Sequence, residues 1–462
     1  MNIVRALALL LVLFAMDSHA AIAANSSSAA PIAVYLTIAD KSKLLSREAD
    51  LTWSSANSKA DDLRINVNDR KRFQTIDGFG ATLTETGILD APQATKDEIM
   101  RRLFSPTEGI GLSFVRVKIG GVDSKTCDDT KNNEPDPDLK NFSIDDDKRT
   151  VLPVLHEAAK YNPALRIMGS PWSAPAWMKT TGKLGSGKLL PKYYATYASY
   201  FVRWIKAWQS EGMKIDAVTM QNEPHFEPGW YLGMRMEASD QAAFAKELGP
   251  AFKNAGIDTK IICWDHNQDE PFVPINTLDD DSARKWIAGT AFHGYAGNPY
   301  NIELVRRIYP DKAIYYTELT GTYPSDGYGG SLMWQMTNCG QIPLQSGSRC
   351  VMLWQLTRTM AETAKGDRPV VRLKPASPDY DVNGEYYVLG QFSKFVLPGA
   401  VRIECTSHNA SSLYATAFIN PNGDKVLVAN SWGHPNSFEI SWNGRHARYD
   451  LPSNSAATFI WH

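Results

Sequence analysis

Residues 217–224 read Ala-Val-Thr-Met-Gln-Asn-Glu-Pro, a short β-rich run that ends in polar residues and a proline. Residues 313–319, Ala-Ile-Tyr-Tyr-Thr-Glu-Leu, repeat this pattern. Short strands that alternate with amphipathic helices are typical of βα units around a parallel sheet. Eight such units between about Phe73 and Lys394 predict a closed (β/α)8 barrel. The predicted strands are Gln74–Gly78, Phe114–Ile119, Arg166–Ser170, Ala217–Gln221, Lys260–Trp264, Gly289–His293, Ala313–Thr317 and Cys350–Trp354.

The helix after the third strand has the clearest pattern. Its aromatic residues recur on one face at helical spacing through to Gly212. They are Tyr197, Tyr200, Phe201, Trp204 and Trp208. We interpret this face as packing in the outer ring of helices and not as a ligand site.

Both ends of the chain differ from its middle. Residues 31–70 and 396–462 alternate without helices, and Asn422-Gly423 and Asn443-Gly444 have the composition of hairpin turns. We therefore expect a side β-sandwich formed by both chain ends, beside a barrel of residues 71–395.

Residues 1–24 are predicted to be a signal peptide. Arg5 precedes an apolar run from Ala6 to Met16, and small residues follow it. Secretion to the periplasm or the medium is therefore expected. Stable membrane insertion is not expected, because the run is shorter than the roughly 20 residues that span a bilayer. The formal net charge of −2 gives no reason to expect nucleic acid, and nothing indicates the oligomeric state.

The five cysteines include no CxxC pair and no histidine at metal-ligand spacing. Neither a metal nor another cofactor is expected. Export would permit disulfides.

Function in such a barrel is expected at the carboxyl ends of the strands. Glu223 and Glu318 end strands four and seven. A lone glutamate usually caps a helix or pairs with a surface arginine. Two glutamates at one mouth of the barrel fit glycoside hydrolysis, in which one carboxyl group protonates the leaving oxygen and the other attacks the anomeric carbon or activates water. A distance of about 5 to 5.5 Å between the two carboxyl groups gives retention of configuration, and a longer distance gives inversion.

Other strand ends carry residues that suit a sugar pocket. Arg116 in strand two would keep Glu318 ionised. Asp123 could accept hydrogen bonds from sugar hydroxyls. Aromatic rings and further donors are expected from Trp172, His293, Tyr295 and Trp354.

These residues resemble glycoside hydrolase family 30, the glucosylceramidase and β-1,6-glucanase family, across nearly the whole mature chain. The resemblance implies that Glu223 is the acid and base, that Glu318 is the nucleophile of a double displacement, and that Asn222 binds the sugar 2-hydroxyl. We also expect the enclosed site and the charge of Glu318 to raise the pKa of Glu223. The matching segments are Asp77–Ala81, Val115–Val117, Ser170–Lys179, Gln221–Pro224 and Gly390–Phe395.

The substrate is expected to be β-1,6-glucan or a glucosylceramide-type β-glucoside. Residues Trp264–Asn267 resemble the microbial β-1,6-glucanases, whereas Gln355 replaces an asparagine of the animal lysosomal members. Gly229–Tyr231 and the loop 323–330 shape the entrance or are ordinary packed loops. Alternatives are a β-xyloside or β-galactoside substrate, or a non-catalytic carbohydrate-binding barrel. The presence of both glutamates with Arg116 and Asn222 disfavours the non-catalytic barrel.

Overall fold

The computed structural model describes residues 30–55, 63–84, 87–120, 134–322, 327–359, 366–374, 377–407 and 412–462. The predicted signal peptide, Asp123 and Cys127 lie outside these residues. No helix in the described part of the chain is both long and apolar enough to cross a membrane. The four described cysteines, Cys263, Cys339, Cys350 and Cys405, are free thiols.

Eight parallel strands close into a barrel, as predicted, and each pairs with the next around the ring. The barrel interior is filled by apolar side chains from neighbouring strands around the ring, among them Phe114, Met168 and Tyr315. In chain order the barrel strands are β4 (Gly78–Leu83), β5 (Phe114–Ile119), β6 (Arg166–Pro171), β7 (Ala217–Thr219), β8 (Lys260–Asn267), β9 (Ile287–His293), β10 (Ala313–Glu318) and β12 (Ser348–Leu353).

The prediction for the first barrel strand was wrong. Gln74 belongs to β3 (Arg64–Thr75), a strand of the other sheet, and the barrel strand begins only at Gly78. Alternation runs without a break through this region, so the local pattern does not show where the chain passes from one sheet to the other. Ile76 and Asp77 make that passage.

Helices surround the barrel and bury its outer apolar face. The aromatic face predicted for the third helix is confirmed, because its five aromatic residues are all buried. The helices are α1 (Gln93–Phe104), α2 (Asp145–Arg149), α3 (Val151–Tyr161), α4 (Tyr194–Ser210), α5 (Ala238–Ala255), α6 (Phe272–Leu278), α7 (Asp281–Arg284), α8 (Ile302–Ile308), α9 (Gly327–Gln335), α10 (Ile342–Gln345) and α11 (Gly384–Ser393).

Both chain ends build the second domain, as predicted. Its nine described strands are β1 (Ile32–Ile38), β2 (Ser46–Leu51), β3, β17 (Val401–Ser407), β18 (Leu413–Ile419), β19 (Lys425–Ser431), β20 (Asn436–Trp442), β21 (Arg445–Leu451) and β22 (Ser455–Trp461). They form one sheet in the order β2-β1-β22-β19-β18-β17-β3-β20-β21, which folds over a separate apolar core that includes Trp442, Phe459 and Trp461.

Two small sheets cross the loops after the last barrel strands. β11 (Gly321–Thr322) pairs with β14 (Asp367–Arg368). β15 (Val371–Leu373) lies between β13 (Thr357–Thr359) and β16 (Tyr380–Val382). Buried Glu385 accepts hydrogen bonds from Arg368 and Gln335 beneath them.

Candidate active site

The carboxyl ends of the barrel strands meet at one mouth, which gathers most of the predicted site residues. Each strand contributes from its own end, so residues far apart in sequence become neighbours. They are Arg116 on β5, Trp172 after β6, Asn222 and Glu223 after β7, His293 at the end of β9, Tyr295 beyond it, Glu318 at the end of β10 and Trp354 after β12.

Arg116 is fully buried at the centre of the mouth. Its guanidinium donates to Glu318 Oε2 at 2.6 Å and to Asn222 Oδ1 at 2.6 Å. It also donates to Asp265 Oδ2 at 2.8 Å. A rigid fork of donors thereby fixes two carboxylates and one amide relative to each other.

Asp265 is the fully buried anion that balances this cation. It comes from β8, where Trp264 and Asp265 have positive φ and the pairing with β9 shifts register. Burial alone would raise the pKa of Asp265, but the charge of Arg116 and the surrounding donors hold that pKa well below its usual range. Its further donors are Ser170 at 2.9 Å, Thr219 at 2.7 Å, Thr317 at 2.7 Å and His293 Nε2 at 3.1 Å.

His293 lies between the buried anion and the first glutamate. Its Nε2 is 3.1 Å from Asp265 Oδ1 and its Nδ1 is 3.1 Å from Glu223 Oε1. Both neighbours are carboxylates, so the ring satisfies both only as an imidazolium that donates from each nitrogen. Burial opposes this charge, but Glu318, Asp265 and Glu223 together raise the pKa of His293 to about 9.

Glu318 is buried and held at both of its oxygens. Tyr295 donates its hydroxyl to Oε1 at 2.9 Å, opposite the contact of Oε2 with Arg116. Burial raises the pKa of Glu318, and the charges of His293 and Arg116 oppose that rise. The carboxylate is therefore oriented by two donors, each on a different oxygen.

Glu223 sits in a tight turn with a φ of 45°. Its amide donates to the carbonyl of Asp265 at 3.0 Å. The pKa that we expected to be raised is instead lowered to about 2, because His266 and His293 outweigh the effect of burial. His266 Nδ1 lies 3.6 Å from Glu223 Oε1. The opposite shifts of the two pKa values favour a proton on His293, one hydrogen bond away from Glu223.

Aromatic rings form one wall of the mouth. The rings of Trp172 and Trp354 lie 5.6 Å apart. Arg116 and Lys118 both lie over the Trp172 ring, at 4.8 and 5.1 Å from its centroid. Tyr231 and Leu232 pack against the same wall.

Trp230, beside Tyr231 and Leu232, is 80% exposed. Residues 229–231 thus lie at the entrance, which agrees with the first of the two interpretations of this segment and not with an ordinary packed loop. Of the loop 323–330, residues 323–326 lie outside the described part of the chain, and residues 327–330 begin α9. There the Nζ of Lys41 lies 4.5 Å from the centroid of the Tyr328 ring.

Three side chains could hold a metal ion among the described residues. Glu223, His266 and His293 each offer a ligand atom, and these atoms lie within 4.8 Å of one another. A metal would have to displace the protons that His293 donates to its two carboxylates. The arrangement therefore suits proton transfer better than metal binding.

Sequence reasoning missed Asp265 and His266 as site residues. Both follow the predicted fifth strand, so the rule that function lies at strand ends would have found them. The left-handed backbone at Trp264 and Asp265, which turns the aspartate to the centre of the barrel, has no signature in these residue types. Asp123 alone among the predicted site residues lies outside the described part of the chain.

Comparison with known proteins links this geometry to a family. Residues 76–331 match the glycosyl hydrolase family 30 TIM-barrel domain, and residues 399–459 match its beta-sandwich domain. An endo-1,6-beta-D-glucanase of Trichoderma harzianum is 31% identical over 84% of this chain and 84% of its own. The lysosomal acid glucosylceramidase of Mus musculus is 27% identical over 81% and 78%. The structure of the endo-beta1,6-glucanase BT3312 superposes with a TM-score of 0.85 at 29% identity, covering 94% of this chain and 99% of that one.

Proposed function

The chain belongs to glycosyl hydrolase family 30, and from this premise we propose that it cleaves β-1,6-linked glucan with retention of configuration. Glu318 is the nucleophile, and Glu223 is the acid and then the base. The observation that carries the proposal is that one imidazole nitrogen, His293 Nδ1, lies 3.1 Å from Glu223 and 3.9 Å from Glu318.

This shared nitrogen favours retention. The two distances keep Glu223 Oε1 and Glu318 Oε1 within about 7 Å of each other, which admits the separation of about 5 to 5.5 Å in retaining enzymes and excludes most of the range of about 6.5 to 9.5 Å in inverting ones. The wider gap of an inverting enzyme has to admit a water molecule between the base and the sugar. A direct attack by Glu318 on the anomeric carbon fits the closer arrangement.

In the first step a Glu318 oxygen bonds to the anomeric carbon while the bond from that carbon to the glycosidic oxygen breaks. The leaving oxygen takes the proton of Glu223, which His293 supplies along its hydrogen bond. Arg116 and Tyr295 hold the attacking carboxylate in place. In the second step water attacks the anomeric carbon, Glu223 accepts the water proton, and the bond to Glu318 breaks.

The charges change consistently through these steps. The negative charge of Glu318 is the main electrostatic cause of the raised His293 pKa. When Glu318 becomes an ester that charge disappears, so His293 holds a proton less tightly. Glu223 is then left ionised beside a neutral imidazole, which is the state that a general base needs.

Relatives and the entrance both support a glucan chain as substrate. Endo-1,6-beta-D-glucanases of Aspergillus fumigatus and Neurospora crassa are each 29% identical to this chain. Trp230 and Phe226 are exposed beside the mouth. Exposed rings offer flat apolar surfaces for sugars beyond the one that is attacked. Glucosylceramide is the second candidate, because a putative glucosylceramidase of Caenorhabditis elegans and the lysosomal acid glucosylceramidase of Mus musculus are also similar to this chain.

Two variants test the catalytic roles with an activated aryl β-glucoside. Glu318→Ala should lose about 10⁴-fold or more in turnover, and azide should restore a product of α configuration. Glu223→Ala should keep a fast first step but release sugar slowly, and azide should then give the β product. Glu247→Ala, an exposed glutamate on α5, is the matched control and should behave as wild type.

A substrate panel separates the two candidates. Release of oligosaccharides from pustulan-type β-1,6-glucan, with little action on fluorescent glucosylceramide, is the expected result. The reverse preference would assign the lipid instead. In the test of the catalytic roles, an equal and complete loss of hydrolytic activity in Glu318→Ala and Glu223→Ala, without rescue by azide, would contradict the assigned roles.

A further inference from the structure

A cavity of about 410 Å³ lies at the opposite end of the barrel from the two glutamates. It is bounded by the amino ends of barrel strands, where Lys260 begins β8 and Ala313 begins β10, and by β3 and β17 of the sandwich. Its lining includes five cations and a single acid, Asp311. The cations are Lys260, Arg306, Lys312, Arg349 and Arg402.

Most of these cations have a carboxylate partner, and one does not. Arg349 binds Asp77 at 3.0 Å, and Lys312 lies 3.2 Å from Asp311. Arg402 has no carboxylate within ion-pair distance anywhere in the described chain. Because Arg402 is only 9% exposed, its charge is neither neutralised by protein nor well solvated.

The guanidinium of Arg402 is fixed in one orientation. Its Nε donates to Gln74 Oε1 at 2.9 Å, and its Cζ lies 3.7 Å from the centroid of the Phe73 ring. Gln74 is held in turn by the carbonyls of Leu344 and Ser348. The two terminal nitrogens of Arg402 have no acceptor among the described residues, so both can donate hydrogen bonds to a ligand.

Arg306 offers a second unused donor. Its Nη2 binds Glu303 at 2.6 Å, but its buried Nε has no partner in the described structure. Gly347, with a φ of 110°, makes room for this side chain, since a Cβ there would lie 2.6 Å from Arg306 Cδ. Burial first, and then the charge of Arg306, lower the pKa of Arg402 to about 10. Both arginines line the same cavity, and the carboxylate that pairs with Arg306, Glu303, only partly offsets the effects that lower the pKa of Arg402.

We infer that this cavity binds a phosphate or sulphate group, free or as the ester of a sugar, with Arg402 and Arg306 as its main ligands. A planar guanidinium matches two oxygens of such a group, whereas a lysine presents only a point charge. The volume exceeds that of a lone oxyanion and lies in the range of small-molecule sites, which leaves room for one sugar. Nothing in this inference depends on the proposed reaction at the other end of the barrel.

Isothermal titration calorimetry with inorganic phosphate, against sodium chloride at equal ionic strength, tests the site. Saturable binding of one phosphate per chain is expected. Arg402→Met and Arg306→Met should each weaken it by at least about tenfold, and Arg402→Lys should weaken it despite keeping the charge. Arg70→Met is the matched control, because Arg70 is exposed on β3 and does not line the cavity.

Hydrolysis of the aryl β-glucoside should be unchanged in all four variants, which shows that each is folded. Tighter binding of glucose 6-phosphate than of phosphate would assign a sugar ester, and equal binding would assign the free anion. Binding that does not exceed the chloride control, or that survives both methionine variants, would overturn the site. If glucose itself binds and the two methionine variants abolish that binding, the ligand of the cavity does not need to be an anion, and the proposal is wrong.

Discussion

His293 links Glu223 and Glu318 to the buried ionic centre of Arg116 and Asp265. Among the described basic side chains, it alone lies within 4.0 Å of Asp265, Glu223 and Glu318. Removing one member of a buried, hydrogen-bonded charge network leaves its partners uncompensated, typically at a cost of about 3 to 5 kcal/mol. Activity and stability are therefore coupled at this residue, and its replacement is a poor test of mechanism.

His266 allows a cleaner test. It lowers the pKa of Glu223 without touching Asp265 or Glu318 in the described structure. In His266→Asn the pKa of Glu223 should rise, so the pair formed by Glu223 and His293 keeps its proton to higher pH. The basic limb of the kcat/KM profile should then move to higher pH. The acidic limb, set by ionisation of Glu318, should stay in place. At the optimum, kcat should fall much less than the roughly 100-fold expected when the acid itself is lost.

The profile should be measured on a substrate with a poor leaving group, because such a substrate depends on proton donation. His156→Asn, which alters an exposed histidine on α3, is the matched control and should leave both limbs unchanged. A basic limb that moves to lower pH, or does not move, would contradict the role given to His266.

Sequence patterns predicted that Glu223, Glu318 and most of their neighbours lie at one mouth, because these residues end strands whose alternation is visible. The pKa values of these side chains could not be predicted in the same way. The lowered pKa of Glu223 follows from two histidines that lie 43 and 70 residues further along the chain, and only the barrel places them beside it. One of the two, His266, depends on the left-handed turn in β8.

Among the described glycines, Gly80 on β4 leaves the least room for a side chain. A Cβ at Gly80 would lie 1.6 Å from the carbonyl oxygen of Phe114 on β5. Strand existence was predictable from alternation, whereas the start of β4 was not, because β3 continues the same pattern into Thr75. What marks β4 is the need for glycine against β5, a tertiary requirement that local alternation does not express.

Gly80→Ala should therefore destabilise the fold by more than about 4 kcal/mol, since β4 and β5 must separate to admit the methyl group. Gly384→Ala is the matched substitution. Its Cβ would meet Leu332 at 3.6 Å, an ordinary contact at the start of α11. It should change stability by about 1 kcal/mol or less, in the favourable direction. Urea unfolding followed by circular dichroism measures both. Equal stability of the two variants would refute the close-approach argument.

The barrel and the sandwich are joined through a buried polar contact on α11. Gln391 donates to Thr37 Oγ1 at 2.8 Å and to the carbonyl of Ala456 at 3.2 Å. Thr458 donates to the Gln391 side chain in return. One amide thus satisfies partners on β1 and β22, which come from opposite ends of the chain.

This contact predicts that the two domains unfold together. The sandwich sheet is complete only when β1, β2 and β3 pair with strands that follow the barrel in sequence, so the barrel has to fold between them. Wild type should show one transition, with far-ultraviolet circular dichroism and tryptophan fluorescence coinciding.

Gln391→Ala removes hydrogen bonds from buried groups on β1 and β22. It should therefore lower the free energy of unfolding by about 2 to 4 kcal/mol. Gln93→Ala, at an exposed glutamine on α1, should change stability by less than about 0.5 kcal/mol. Two separate transitions in wild type, or a Gln391→Ala variant as stable as Gln93→Ala, would show that the domains are energetically independent.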